Sequence, residues 1–165
     1  MPTSPSTLHL MCGKIASGKS TLASRLGETP GSVVISEDVW IGGLYGQDIS
    51  TVADYMQRME QFRAVIAPHI VALLNQDMTV VLDLQANTVS SRRWMRSLLE
   101  QTHAAHVLHL LDVPDDVCIA RLHERNAKGD HPFAATEDQY RQVSKHFEPP
   151  SPEEGFNVVR YQSAP

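Results

Sequence analysis

At 165 residues the chain is sized for a single domain with its own core, and its 42% hydrophobic content is that of an ordinary globular protein. A net charge of −5 implies no broad basic surface, which argues against tight, non-specific nucleic-acid binding while leaving room for a small local site. The two cysteines, Cys12 and Cys118, lie far apart in apolar surroundings, which argues for buried thiols in a reducing compartment rather than a disulfide or metal framework. No basic-then-apolar leader opens the sequence and no apolar run reaches membrane-spanning length, so the expectation is a cytoplasmic protein with no membrane partner.

Met1 to Ser6 reads as a loose polar lead-in. Leu8 to Cys12 is a short apolar run suited to a buried strand, and Lys19 to Leu26 is helix-forming. Between them stands Gly13-x-x-x-x-Gly18-Lys19-Ser20, the pattern of a phosphate-binding loop. Strand, glycine loop and helix form the arrangement that lets backbone N–H groups turn toward an anion at a helix N-terminus. Gly13, Lys14, Ala16, Ser17, Gly18, Lys19, Ser20 and Thr21 are the candidate nucleotide-contacting positions. Lys19 would reach the β- and γ-phosphates and the Ser20 hydroxyl would ligate Mg²⁺.

Thr29 to Ser32 is a turn and Val33 to Ser36 a second strand. Asp38 falls just past its carboxyl end, where ligands gather in open α/β sheets; the competing reading is a helix cap. Gly42, Gly43 and Gly46 interrupt the next stretch, which is either a loop closing over a substrate or a plain connector. From Ala53 to Gln76, apolar residues at Met56, Met59, Phe62, Ile66, Ile70 and Leu73 mark one face of a helix that Pro68 should kink or split. Met78 to Leu82 reads as a strand with Asp83 at its end, a second magnesium-ligand candidate or a strand-end hydrogen-bonding group.

Val89 to Gln101 reads as a helix; Arg92 and Arg93 near its start are weak candidates for a substrate phosphate and read better as surface charge. His106 to Leu111 is a strand, and Pro114 fits the first turn of a helix from Asp115 to Asn126. Arg121 and Arg125 are four apart, on one face of that helix, and lead into the polar loop Lys128 to Pro132. They are candidates for neutralising charge on a transferred phosphoryl group, or else a solvated face. A helix from Thr136 to Phe147 and a strand from Asn157 to Tyr161 complete the chain. His103, His106 and His109 are spaced by three, but odd spacing on a strand sends the last two to opposite faces, which disfavours a zinc site. Strands alternating with helices imply an α/β, three-layer fold: about five parallel strands with helices on both faces.

Phosphoryl transfer needs a phosphate cradle, a metal, charge neutralisation and a group that positions the acceptor hydroxyl. Gly13 to Ser20 is the candidate cradle, Ser20 with Asp83 the metal site, Arg121 and Arg125 the neutralising pair, and Asp38 the general base. Four segments carry a resemblance: G-K-I-A-S-G-K-S-T-L-A, I-S-E-D-V-W-I-G-G-L-Y, V-V-L-D-L-Q-A-N and L-D-V-P-D-D-V-C-I-A-R-L-H-E-R-N-A. In order and spacing over roughly residues 7–130, the chain resembles the small bacterial P-loop kinases related to polynucleotide 5′-kinase, chloramphenicol phosphotransferase and the zeta toxins. That resemblance implies a P-loop NTPase fold in one domain over 1–165, with a small lid around 121–135. It implies ATP with Mg²⁺, Asp38 activating the acceptor hydroxyl, Arg121 and Arg125 on the ATP phosphates, and Asp83 near metal and substrate.

Residues 39–47 hold no Lys or Arg, and Lys128-Gly129 stands where such polynucleotide kinases carry Lys-Arg-Gly. Both differences favour a small-molecule hydroxyl over a nucleic-acid acceptor. The expected activity is therefore transfer of the γ-phosphate of Mg-ATP to a small-molecule alcohol; the alternatives are a polynucleotide 5′-hydroxyl kinase and a non-catalytic nucleotide-binding switch. A GTPase-type switch should carry Asn-Lys-x-Asp after a strand, and Asn126-Ala127-Lys128-Gly129 does not match.

Overall fold

The computed structural model describes residues 5–129, 131 and 133–163; most of the expected lead-in, residues 1–4, and positions 130 and 132 of the polar loop lie outside the described residues. Five strands form one all-parallel sheet in the order β2-β3-β1-β4-β5. They are β1 (Thr7–Gly13), β2 (Ser32–Ser36), β3 (Thr79–Gln85), β4 (Ala105–Leu111) and β5 (Val158–Tyr161). Six helices connect them: α1 (Lys19–Gly27), α2 (Glu37–Tyr45), α3 (Val52–Asn75), α4 (Val89–Leu99), α5 (Asp115–Lys128) and α6 (Glu137–Ser144).

The pleat divides the apolar residues between two cores. Leu8, Leu10 and Cys12 of β1, with Val80, Leu82 and Leu84 of β3, face α2, α3 and α4. Met11, Val81 and Leu111 point the other way, onto α1, α5 and Tyr140 of α6. Strands buried on both faces explain the near-continuous apolar runs of β1 and β3. β1 sits at the centre, and the chain leaves it toward β2 on one side while β4 leads to β5 on the other. The loop after β1 therefore opens at the crevice where an α/β sheet collects ligands.

Several boundaries differ from those the sequence predicts. The glycine-interrupted stretch after Ser36 is helical: α2 carries Gly42 and Gly43 inside it, held by the fully buried Ile41. Packing against α3 outweighs the roughly 1 kcal/mol that each glycine costs a helix. Asp38 consequently lies in the first turn of α2 rather than in a loop. Pro68 does not split α3, which runs unbroken around it and starts with a capping box between Thr51 and Asp54. Asp83 lies within β3, not at its end, because the register slips there: Leu10 faces Leu82 but Met11 faces Gln85. Pro114 is the residue before α5, not its first turn. α6 stops at Ser144, where the His146 and Phe147 N–H groups reach only to Val143 and Ser144 in i→i+3 bonds.

Arg92 corrects the largest misreading. It is fully buried, its Nε donating to Glu154 at 2.7 Å and its Nη1 to the carbonyls of Ala86 and Glu148. It fastens the C-terminal segment to α4 and is not surface charge. Cys12 and Cys118 are buried and free, as expected. Among the described residues, no helix is long and apolar enough to cross a membrane.

His106 and His109 do lie on opposite faces. His106 meets Phe156 and accepts from the Asn157 N–H, while His109 is buried and bonded to His9 Nδ1 and the Tyr161 hydroxyl, each at 2.9 Å. The His9–His109 contact is a diagonal cross-strand pair, since Met11 is the residue directly opposite His109. Burial lowers both imidazoles, His109 to about 4. The unfolded chain binds their protons first, so the stability they confer is complete above pH 6.5 and drains away as pH falls toward about 4. Urea melts should lose about 1–2 kcal/mol more between pH 6.5 and 4.5 in the wild type than in His109→Gln. Equal slopes would show that the pair is not held neutral.

Candidate active site

The loop between β1 and α1 is built on Gly13. The Gly13 N–H donates to Asn87 Oδ1 and the Gly13 carbonyl accepts from Asn87 Nδ2, both at 2.8 Å. A Cβ on Gly13 would sit 2.5 Å from Ser17 Oγ and 3.1 Å from the Leu111 carbonyl, so only glycine fits. Gly18, with φ 104°, supplies the left-handed turn that starts α1. Lys19 folds back under the loop, its Nζ donating to the carbonyls of Gly13 at 2.6 Å and Lys14 at 2.7 Å. Although part of the Lys19 side chain reaches solvent, desolvation of its ammonium pushes it down to about 8, against the pull of Asp83 and Asp38.

Above the loop lies a cavity of about 550 Å³. Ala16, Gly18, Lys19, Ser20 and Thr21 form its floor; Asp38 and Asp83 line one side; Arg121 and Arg125 line another. Ser20 Oγ donates to Asp83 Oδ2 at 2.8 Å. Burial raises the Asp83 carboxyl, with the Ser20 bond and Lys19 opposing. These two hard oxygen donors suit a magnesium ion. Arg125 has a buried Nε with no partner among the described residues, and burial lowers its guanidinium. A desolvated, unpaired cation facing a cavity fits an anion.

Not every candidate faces that space. Lys14 does not line the cavity; its side chain turns away to Asp115 Oδ1 at 2.8 Å. Gly13 and Ser17 are buried beneath the loop as its support, and the Ser17 hydroxyl has no partner there. Arg93 does not line the cavity.

Other residues at the site carried no separate sequence signal. Tyr55 of α3 donates its hydroxyl to Asp38 Oδ1, and His131 Nε2 lies 3.5 Å from Asp38 Oδ2. Burial and the Asp38 charge hold the Tyr55 phenol far above its usual range, fully protonated. Phe133 packs edge-on against Tyr55, bringing the segment after α5 over Asp38. Glu37 pairs with Arg63 of α3, Nε to Oε2, at 2.8 Å, and Arg63 Nη1 also donates to Ser91. Burial pushes the Glu37 carboxyl up while Arg63 holds it down. The neighbouring residue is Asp38, so this pair sets the angle at which Asp38 enters the cavity.

A family model for an AAA domain, AAA_33, matches residues 8–150. The chain belongs to that family. Solved structures share its P-loop kinase-like fold. A putative kinase from Chloroflexus aurantiacus J-10-fl superposes with a TM-score of 0.77 at 17% identity, covering 98% of this chain and 90% of that one. Kti12 from Chaetomium thermophilum, in complex with ADP-AlF3, gives 0.71 at 13% identity, covering 94% and 88%. A gluconokinase from Sinorhizobium meliloti 1021 gives 0.60 at 18%, covering 94% and 82%. No curated protein sequence matches the chain.

The Glu37–Arg63 pair is open to a direct test. Arg63→Met leaves a buried carboxylate unpaired and should destabilise the fold by about 3–5 kcal/mol. Adding Glu37→Gln should recover most of that loss in urea melts, since both charges are then gone.

Proposed function

We propose that this AAA_33 chain is an ATP-dependent kinase that transfers the γ-phosphate of Mg-ATP to a hydroxyl of a small molecule. The observation that carries the reading is Asp38: a carboxylate already accepting a hydroxyl proton, in the same cavity as Lys19, Arg121 and Arg125. Fold relatives described as a putative kinase and a gluconokinase, and Kti12 solved with ADP-AlF3, support it.

The residues divide the work as phosphoryl transfer requires. Backbone N–H groups of Ala16 and of Gly18 to Thr21, at the start of α1, bind the phosphates. Lys19 gives up its loop carbonyls for phosphate oxygens, which restores charge partners to a desolvated ammonium. Ser20 and Asp83 would hold magnesium, which when bound neutralises charge on the β- and γ-phosphates. Arg121 and Arg125 neutralise charge developing on the moving group. Asp38 takes the proton of the acceptor hydroxyl as it attacks.

Transfer of labelled γ-phosphate to a panel of hydroxylated antibiotics, sugars, nucleosides, apolar alcohols and a 5′-hydroxyl oligonucleotide tests this. Labelled product should fall by about a hundredfold or more in Asp38→Asn and in Lys19→Ala. ATP binding without transfer to any acceptor would instead leave a nucleotide-binding module, and labelling of the oligonucleotide alone a polynucleotide kinase.

Lys19 adds a pH signature. Its ammonium titrates at about 8 in the free protein, and bound phosphate favours the charged form. ADP affinity should therefore be level below that pH and fall by about tenfold per unit above it in calorimetric titrations. A profile flat up to about pH 9.5 would show that the ammonium is not desolvated.

A further inference from the structure

A second cavity, of about 240 Å³, lies between α3 and the turn that follows α6. It adjoins the first, since Ile15, Tyr55 and Gln85 line both. Tyr55 is the partition: its ring borders the second cavity while its hydroxyl occupies Asp38 Oδ1. The outer wall is fixed in place. The Glu148 N–H donates to the Asn87 carbonyl at 2.8 Å, and Glu148 Oε2 accepts from the Val89 N–H at 2.8 Å. Tyr140 of α6 shares Asp115 Oδ1 with Lys14.

Met56, Met59, Val143 and Phe147 supply the apolar surface of this cavity. Most of the polar side chains around it are already engaged. Asn87 spends both amide atoms on Gly13, Arg63 its guanidinium on Glu37 and Ser91, and Thr88 its hydroxyl on the Ser91 N–H. Lys14 is held by Asp115. Gln85, Ser144 and His146 are the polar side chains left, too few to match every hydroxyl of a polyol, whereas an apolar body would displace water from Met56, which is 47% exposed, and from Met59. Methionine side chains adapt to such a body without strain.

The geometry points to this cavity as the acceptor pocket, selective for alcohols with a compact apolar body of about ten non-hydrogen atoms rather than for sugars or sugar acids. This rests on the kinase reading. The acceptor hydroxyl takes the place of the Tyr55 hydroxyl on Asp38. Its oxygen then forms the new bond to the γ-phosphorus as the bond to ADP breaks, and its proton goes to Asp38.

The test separates binding from catalysis. The chain has six methionines, so a sample labelled with ¹³C at the methionine methyl groups gives a short, assignable spectrum. Titration with 2-phenylethanol, cyclohexylmethanol or 1-hexanol should shift Met56 and Met59 saturably and leave the fully buried Met11 and Met95 unmoved. Gluconate should shift none. The alcohol that binds should also accept label from Mg-ATP. Met59→Trp, which fills the cavity, should abolish the Met56 shift and raise KM for that alcohol by at least about tenfold, with ATP affinity unchanged; Met59→Leu should preserve both.

The inference is overturned if none of the three alcohols moves Met56 and Met59. It is equally overturned if gluconate moves them, or if a bound alcohol takes no label. Labelling of gluconate with both methyls still would overturn the pocket and leave the kinase reading intact. Absence of transfer to every acceptor in the panel would instead remove the kinase reading.

Discussion

The site depends on how tightly the chain grips the carbonyl and amide of Gly13. Asn87 closes a two-way hydrogen-bonded clasp on that residue, and Lys19 adds a third bond to the same carbonyl. The clasp joins the end of β1 to the segment after β3, so the loop is carried by two adjacent central strands rather than hanging from one. A loop held this way is ordered before any anion arrives, which lowers the entropy cost of binding there. The close approach of Ser17 under Gly13 makes the same demand in steric form.

The charges around the cavity follow from that rigidity. Lys19 and Arg125 are pushed toward neutrality by desolvation, and Asp83 and Glu37 are pushed the same way from the opposite sign. Burial thus penalises the charged forms of two cations and two carboxylates along one cavity. Asp38 stands apart because its two oxygens are met by Tyr55 and His131, groups from α3 and from the segment after α5.

What the sequence discloses and what it hides divide along range. The phosphate loop, Ser20, the Arg121 and Arg125 face and the cap at Thr136 are readable because their geometry is set within a few residues. Asp83 is readable as a residue but not in position, since its place inside β3 comes from a register slip against β1. The helix at α2 is hidden because Gly42 and Gly43 argue locally for a loop while Ile41 and the Glu37–Arg63 pair decide otherwise from α3. Tyr55 and Asn87 are hidden for the same reason: each acquires its meaning from a partner far off in the chain. An isolated tyrosine in an amphipathic helix reads as core packing until the carboxylate it meets is known.

Arginine shows why burial alone is a poor guide to a site. Arg63 and Arg92 are the most deeply buried cations in the fold, yet each is neutralised, by Glu37 and by Glu154 respectively, and each holds two elements together. Removing either partner would strand a charge, but the intact pairs ask for nothing further. Arg125 is less buried and has a desolvated Nε with no acceptor among the described residues. An unmatched buried donor lowers the stability of the free protein. Of the three, it is therefore the unpaired arginine on the cavity wall, rather than either of the most buried ones, that is left able to take an anion.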